Sequence, residues 1–354
     1  MLYCRKEKQG TERKDGTMAL DPTISMAKQM AQVQPDMRYS GGDVRAWQRQ
    51  ARETLAQLVG YQGRPTQANY TVEWVHQENG YTETRFTFDP EPDVTSIGHI
   101  LIPDSVREKA PMIVCVQGHA KGMHVSLGRP KYPGEEATIF GGDRNFAQQI
   151  VARGQIALAL EQRGFGERGG TADGPDCHQA AVQALLMGRT IIGQRCWDIS
   201  RAIDVVQAHF PQVDSDRIAL MGNSGGGTAT IYAAALDERI AAAMPSCALA
   251  GFRASIGMLK HCICNYVPGI MLHFDMGDLV ALAAPRPYVA VNGAHDGIFP
   301  LESAREQCEI ARRVYGALGA EEKLRHVVGP EGHRFYADLA WPVFDEITGW
   351  KNNG

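Results

Sequence analysis

Five short runs of uninterrupted apolar residues, separated by stretches of helical period, constrain this 354-residue chain more than any other feature. Residues 111–116, 155–160, 218–221, 240–244 and 287–291 are short enough for strands and too continuously apolar to keep one face in water. Strands apolar on both sides that alternate with helices predict a mostly parallel sheet covered on both faces. The clearest intervening helices are 145–153 and 196–210, where Ile199, Ala202, Val205, Val206 and Phe210 keep a helical period. Upstream, 81–88 and 97–103 alternate apolar with polar residues, which predicts antiparallel strands at a sheet edge. Before them a helix follows Gly41-Gly42-Asp43, with Asp43 as N-cap, Gly60 as stop, and Val44, Trp47, Ala51, Leu55 and Leu58 on one face.

Composition narrows the class of protein. Hydrophobic residues at 44%, charged residues at 21% and a net charge of −4 are those of a soluble globular chain. They argue against nucleic acid or an anionic membrane as the main partner. The first ten residues are too polar for a secretory signal, and no uncharged stretch is long enough to span a bilayer, so a cytoplasmic location is expected. Eight cysteines lack the spacing of a disulfide framework and are read as free. The one compact grouping, His261-Cys262-Ile263-Cys264, has no second ligand pair at structural-zinc spacing, so neither metal nor cofactor is expected. The organisation read from these patterns is a flexible tail over 1–20, a helical extension over 21–80 and a main body over 81–354. Residues 247–284, which are neither strand nor clean helix, are expected to form a lid-like insertion.

The chemistry is concentrated in Gly222-Asn223-Ser224-Gly225-Gly226-Gly227, which joins the apolar strand ending at Met221 to an alanine-rich helix over 228–236. A tight strand-to-helix turn lifts a serine above the sheet edge, over N–H groups that favour developing negative charge. A serine hydroxyl needs a base, and the base needs an acid that fixes its tautomer. Asp296 follows the 287–291 strand, and His333 follows the next strand, 323–328, each in a loop at a strand end. His326 lies inside that strand, and His295 shares the turn of the acid, so both fit the role less well. Gly225 N–H and, from the loop after residue 116, His119 N–H are the expected oxyanion donors. The imidazoles of His119 and His124 are read as pocket walls. Met123, Phe165, Tyr266, Met271 and Phe274 are further candidates for the substrate pocket, and Arg163 for a bridge between loops.

The elbow, the Arg163-Gly164-Phe165-Gly166 turn, the 192–198 segment Ile-Gly-Gln-Arg-Cys-Trp-Asp and the 292–300 loop together resemble the α/β-hydrolases, in the branch of acetyl xylan esterases, cephalosporin deacetylases and dienelactone hydrolases. The resemblance covers roughly residues 40–350. It implies a central, mostly parallel sheet flanked by helices, with Ser224 as nucleophile, Asp296 as acid, His333 as base, and His119 and Gly225 as oxyanion donors. Acetyl xylan esterases usually carry Gln after the nucleophile, where this chain has Gly225. The expected activity is hydrolysis of a small carboxylic ester, plausible substrates being acetyl or other short acyl esters of a carbohydrate or metabolite. Two alternatives stand beside it: a serine peptidase of the prolyl-oligopeptidase type, for which the N-terminal portion is too short to hold a propeller, and a hydrolase-fold protein that only binds its ligand. A homo-oligomer is compatible with the N-terminal helix and the insertion.

Overall fold

Alternate residues of each central strand enter opposite cores. In β4 (Ala110–Val116), Met112, Val114 and Val116 face one apolar layer while Ile113 and Cys115 face the other, and all seven residues are buried. The same division runs through β5 (Ile156–Leu160), where Ile156, Leu158 and Leu160 oppose Ala157 and Ala159. Side chains alternate with period two, so a strand covered on both faces has no position left for a polar residue. The continuous apolar runs of the sequence are the direct consequence.

This computed structural model describes residues 21–63 and 66–350. Nine strands form one sheet in the order β1-β2-β3-β5-β4-β6-β7-β8-β9. The others are β1 (Thr71–Glu78), β2 (Tyr81–Glu91), β3 (Val94–Pro103), β6 (Val213–Asn223), β7 (Ala242–Ser246), β8 (Tyr288–Gly293) and β9 (Leu324–Gly329). From β5 to β9 neighbouring strands pair in parallel; β1 to β3 pair antiparallel, and β3 joins β5 antiparallel. The helices among the described residues are α1 (Pro22–Gln32), α2 (Val44–Val59), α3 (Glu135–Ile139), α4 (Phe146–Ala152), α5 (His178–Leu186), α6 (Ile191–His209), α7 (Gly225–Leu236), α8 (Ile270–His273), α9 (Met276–Leu282), α10 (Leu301–Ala317) and α11 (Ala337–Thr348). Helices α2, α6, α7, α9 and α10 cover one face, and α4 and α11 the other. α7 is buried along its whole length, which explains its alanines: small side chains let it lie deep between the sheet and its helical neighbours.

Several expectations from the sequence shift against these elements. α2 has the Asp43 and Gly60 caps, with Gly60 at φ 63°. Its buried face, however, includes Gln48 and Val59, and Gln48 is tolerated because its amide donates to the Ala284 carbonyl at 2.8 Å. β1 has no counterpart in the sequence reading. It is an edge strand with almost every residue exposed, so it carries no apolar alternation to detect. The strand expected over 240–244 runs from Ala242 to Ser246. Within 247–284, α9 is buried at all seven positions and packs on α7 and α10, so that part of the segment is core. The expected tail over 1–20 lies outside the described residues. No described helix is long and apolar enough to cross a membrane.

Candidate active site

β6 ends at Asn223 and α7 begins at Gly225, leaving one residue to reverse the chain. Ser224 does so at φ 57° and ψ −121°, a conformation that costs a residue with a Cβ on the order of 1–3 kcal/mol and persists only where its surroundings enforce it. Those surroundings are close. A Cβ on Gly222 would lie 2.5 Å from the Gly226 carbonyl carbon, and one on Gly226 would strike the Val116 carbonyl oxygen. The Ser224 N–H donates to the Ser246 carbonyl at 2.8 Å, and its own carbonyl accepts from the Thr228 N–H at 2.8 Å. The turn is thereby pinned to β7 on one side and to its helix on the other.

The loop after β4 crosses directly over this turn: a Cβ on Gly118 would stand 2.5 Å from the Asn223 carbonyl oxygen and 2.8 Å from Ser224 Cβ. The Ala120 N–H donates to the Gly118 carbonyl at 2.7 Å, placing His119 at the apex of a three-residue turn. Gly225, as the first residue of α7, has an N–H with no intrahelical acceptor. The His119 ring lies over Gly225, its Nδ1 and Cε1 each 2.8 Å from where a Cβ would be. That contact gives a physical reason for glycine after the serine, since any larger residue would displace the ring. We expect Gly118→Ala to lower kcat for a hydrolysed ester roughly 100-fold with little change in KM, because it moves the loop and not the crevice walls. Steady-state kinetics checks this, and an unimpaired kcat would contradict the placement of the loop.

Asp296 and His333 meet across adjacent loops. His333 Nδ1 is 2.8 Å from Asp296 Oδ2, while Asp296 Oδ1 accepts the N–H groups of Ile298 at 2.8 Å and Phe299 at 3.1 Å. Burial opposes the charge on Asp296, but the bond to His333, the imidazolium charge and those two N–H groups outweigh it and hold the carboxyl below its usual range. The two loops are tied by Ala294 N–H to the Gly329 carbonyl and His295 N–H to the Glu331 carbonyl, both 2.8 Å. The Phe299 ring stacks on His333 at 6.0 Å between centroids, and Arg144 donates to the His333 carbonyl at 3.0 Å. Residues 332–334 rest on the end of β7: Ser246 Oγ donates to the Arg334 carbonyl at 3.4 Å, and Ser246 is the residue that accepts from Ser224. The Asp296–His333 pair and Ser224 thus share one sheet edge. Among the described residues the Ser224 hydroxyl makes no hydrogen bond to His333; such bonds often tighten only when substrate is in place.

The pocket candidates fall in different places. Phe165 is fully buried, wedged between the His119 ring at 5.2 Å and the Arg195 guanidinium at 4.5 Å, so it supports the site from below and does not wall an open pocket. Met271 and Phe274 border a cavity of about 470 Å³ beneath α1, and Met123 borders another of about 470 Å³ with Glu161 and Tyr132; neither cavity includes Ser224. Tyr266 is 41% exposed. Their apolar character, visible in the sequence, did not fix the direction each would face. Arg163, expected to bridge loops, instead ties its own loop to a helix and a strand end, pairing with Asp198 of α6 at 2.6 Å and with Glu91, the last residue of β2, at 3.5 Å. His326 is held inside β9 against Asn292 at 3.2 Å, and burial lowers it to about 4, which suits a neutral core histidine.

Two buried groups escaped the sequence reading. Cys247, one of the cysteines read as free, sits with its Sγ within 4.8 Å of ligand atoms of both Asp296 and His333. Burial, and then the charge of Asp296, raise it to about 12, so it stays a neutral thiol donating to the Arg334 carbonyl at 3.1 Å. Glu161, just past the end of β5, accepts the Met123 N–H at 3.1 Å in the loop that follows β4. Burial raises its carboxyl from 4.5 to about 7, with the Met123 N–H opposing that rise. The folded chain therefore keeps a proton that the unfolded chain releases between these values. The contribution of this group to stability is full below pH 4.5 and falls as pH rises toward 7, by on the order of 3 kcal/mol. Glu161→Gln, which cannot titrate, is expected to remove that slope and exceed the native chain in stability at pH 8. Urea unfolding at several pH values measures the difference, and parallel profiles would sink this account.

Ser224 at the end of β6, the Asp296–His333 pair in the loops after β8 and β9, and the loop over the turn gather at one edge of the sheet, and the chain belongs to the Abhydrolase family, whose family model matches residues 11–312. Its architecture is the α/β-hydrolase fold. Among relatives, it is 30% identical over 207 residues to YtaP of Bacillus subtilis (strain 168), provisionally named a hydrolase, covering 56% of this chain and 68% of that protein. A Bacteroides fragilis protein, provisionally assigned as an acetyl xylan esterase, superposes with a TM-score of 0.75 at 18% identity, covering 95% of this chain and 91% of that one. The glucuronoyl esterase of Solibacter usitatus superposes with a TM-score of 0.67 at 16% identity, covering 91% of this chain and all of that one.

Proposed function

We propose that the chain is a serine esterase that cleaves a short acyl ester of a carbohydrate or another small metabolite. The observation that carries this reading is Ser224, held at φ 57° at the carboxyl end of β6, together with a hydrogen-bonded Asp296–His333 pair in the loops after β8 and β9 of the same sheet. In the reaction, His333 Nε2 takes the Ser224 proton as the oxygen attacks the ester carbonyl. Asp296 holds the imidazole by Nδ1 and stabilises the imidazolium. The N–H groups of Gly225 and His119 receive the negative charge of the tetrahedral intermediate, and each such donor is worth about 3 kcal/mol of transition-state stabilisation. Its collapse expels the alcohol, protonated by His333; water then enters by the same steps in reverse and frees the acid. Esterases among the structural neighbours support an ester over a peptide bond.

The seven cysteines among the described residues are all free, in keeping with work in a reducing, cytoplasmic setting. A fluorophosphonate probe and p-nitrophenyl acetate test the assignment together. The expected result is hydrolysis of the acetate and a single adduct on the peptide that carries Ser224. An active enzyme labelled at some other serine would refute it.

A further inference from the structure

Cys262 and Cys264 find in the fold the partners they lack in the sequence. Cys177, the residue before α5, and His119, on the loop over the serine, converge on them, and the ligand atoms of all four lie within 4.8 Å of one another. His119 Nε2 is 3.2 Å from Cys264 Sγ. A tetrahedral zinc ion with Zn–S near 2.3 Å and Zn–N near 2.0 Å places its ligand atoms about 3.7 Å apart, so small side-chain adjustments close the cluster on the ion. His261, the sequence neighbour, belongs elsewhere: its Nε2 meets Ser255 Oγ at 3.0 Å.

A second observation comes from Arg195. Its side chain is 1% exposed, it pairs with no carboxylate among the described residues, and its Nη1 has no acceptor there. Its other nitrogens donate to the Arg163 carbonyl at 2.7 Å and to Cys177 Sγ at 3.2 Å. A buried guanidinium calls for an anionic partner. Three thiolates and a neutral imidazole around a divalent ion carry a net charge of −1, and Arg195 would neutralise it.

We propose that His119, Cys177, Cys262 and Cys264 bind one zinc ion. Three thiolates and an imidazole are a soft donor set suited to zinc, and four protein ligands leave no position for water or substrate, so the ion is structural. Cys177 and Cys264 are buried, while Cys262 is half-buried and His119 exposed, which leaves one side open for the ion to enter. The ion joins the loop over Ser224, the start of α5 and the segment after β7. On the esterase reading above, it also fixes the turn whose His119 N–H meets the oxyanion.

The protein, purified under reducing conditions and dialysed against metal-free buffer, is expected to hold about one zinc per chain by plasma mass spectrometry. Cobalt(II) exchanged into it should give the intense visible bands of a tetrahedral site with thiolate charge transfer. Cys264→Ser should lose the metal, whereas Ser224→Ala and Cys308→Ser should keep it. A metal-free chain that takes up neither zinc nor cobalt with its thiols reduced would overturn the site. So would an intact mass two hydrogens short, with a disulfide mapped to two of these cysteines. Metal content is read without any assay of turnover, so its failure leaves the esterase assignment to stand or fall on Ser224.

Discussion

Ser224→Ala is expected to cut kcat/KM for p-nitrophenyl acetate by roughly 10⁴-fold or more, leaving only the contribution of the oxyanion donors and the binding crevice. At ~1.4 kcal/mol per tenfold change that is about 5 kcal/mol of transition-state stabilisation. The fold should survive the change. Ser224 is half-buried, its backbone bonds to Ser246 and Thr228 do not involve the hydroxyl, and alanine keeps the Cβ around which Gly118 is already packed. Thermal unfolding within a few degrees of the native chain, alongside lost turnover, is the pattern to look for. Substantial activity in a well-folded variant would place the nucleophile elsewhere.

Asp296→Asn should be nearly as severe, with kcat lowered by roughly 10³–10⁴-fold. Asparagine can still accept from Ile298 and Phe299 through its carbonyl, which directs its amide nitrogen at His333 Nδ1. An amide donor there demands an unprotonated Nδ1, so the ring proton moves to Nε2 and the imidazole can no longer accept from the serine. Stability carries an independent signature. The carboxyl of Asp296 is held below its ordinary value by His333 and the two N–H groups against the cost of burial. Its contribution is therefore present above the unfolded value and is lost as pH falls through the lower, folded one. Relative to the native chain, the asparagine variant should be least destabilised in acid and most destabilised near neutrality. Unfolding free energies that differ by a constant across that range would argue against a charged Asp296 in the folded state.

The parallel half of the sheet was readable because its strands are buried on both sides, so 111–116 and 156–160 carry no polar residue. The elbow was readable for a related reason: glycines at 222 and 226 are demanded by atoms only a few residues away or on the next strand. Asp296 and His333 followed from the order of strand ends, since each lies in the loop that leaves β8 or β9. β1 was invisible because an exposed edge strand imposes no pattern. Phe165, Met271 and Phe274 had the composition of pocket walls, but packing turned them into the interior or toward other cavities.

Sequence by itself thus determined what depends on local geometry: strand and helix period, the caps of α2, the strained turn, and the order of the chemical groups along the sheet edge. The tertiary structure alone decided which distant side chains share a point in space. His119 and Cys264 are 145 positions apart and meet at 3.2 Å, and Arg195 comes within 3.2 Å of Cys177. Periodicity arises from bonds and sterics within a few residues, whereas a four-ligand cluster arises from how separate loops are carried by the packed sheet, and no local pattern records that.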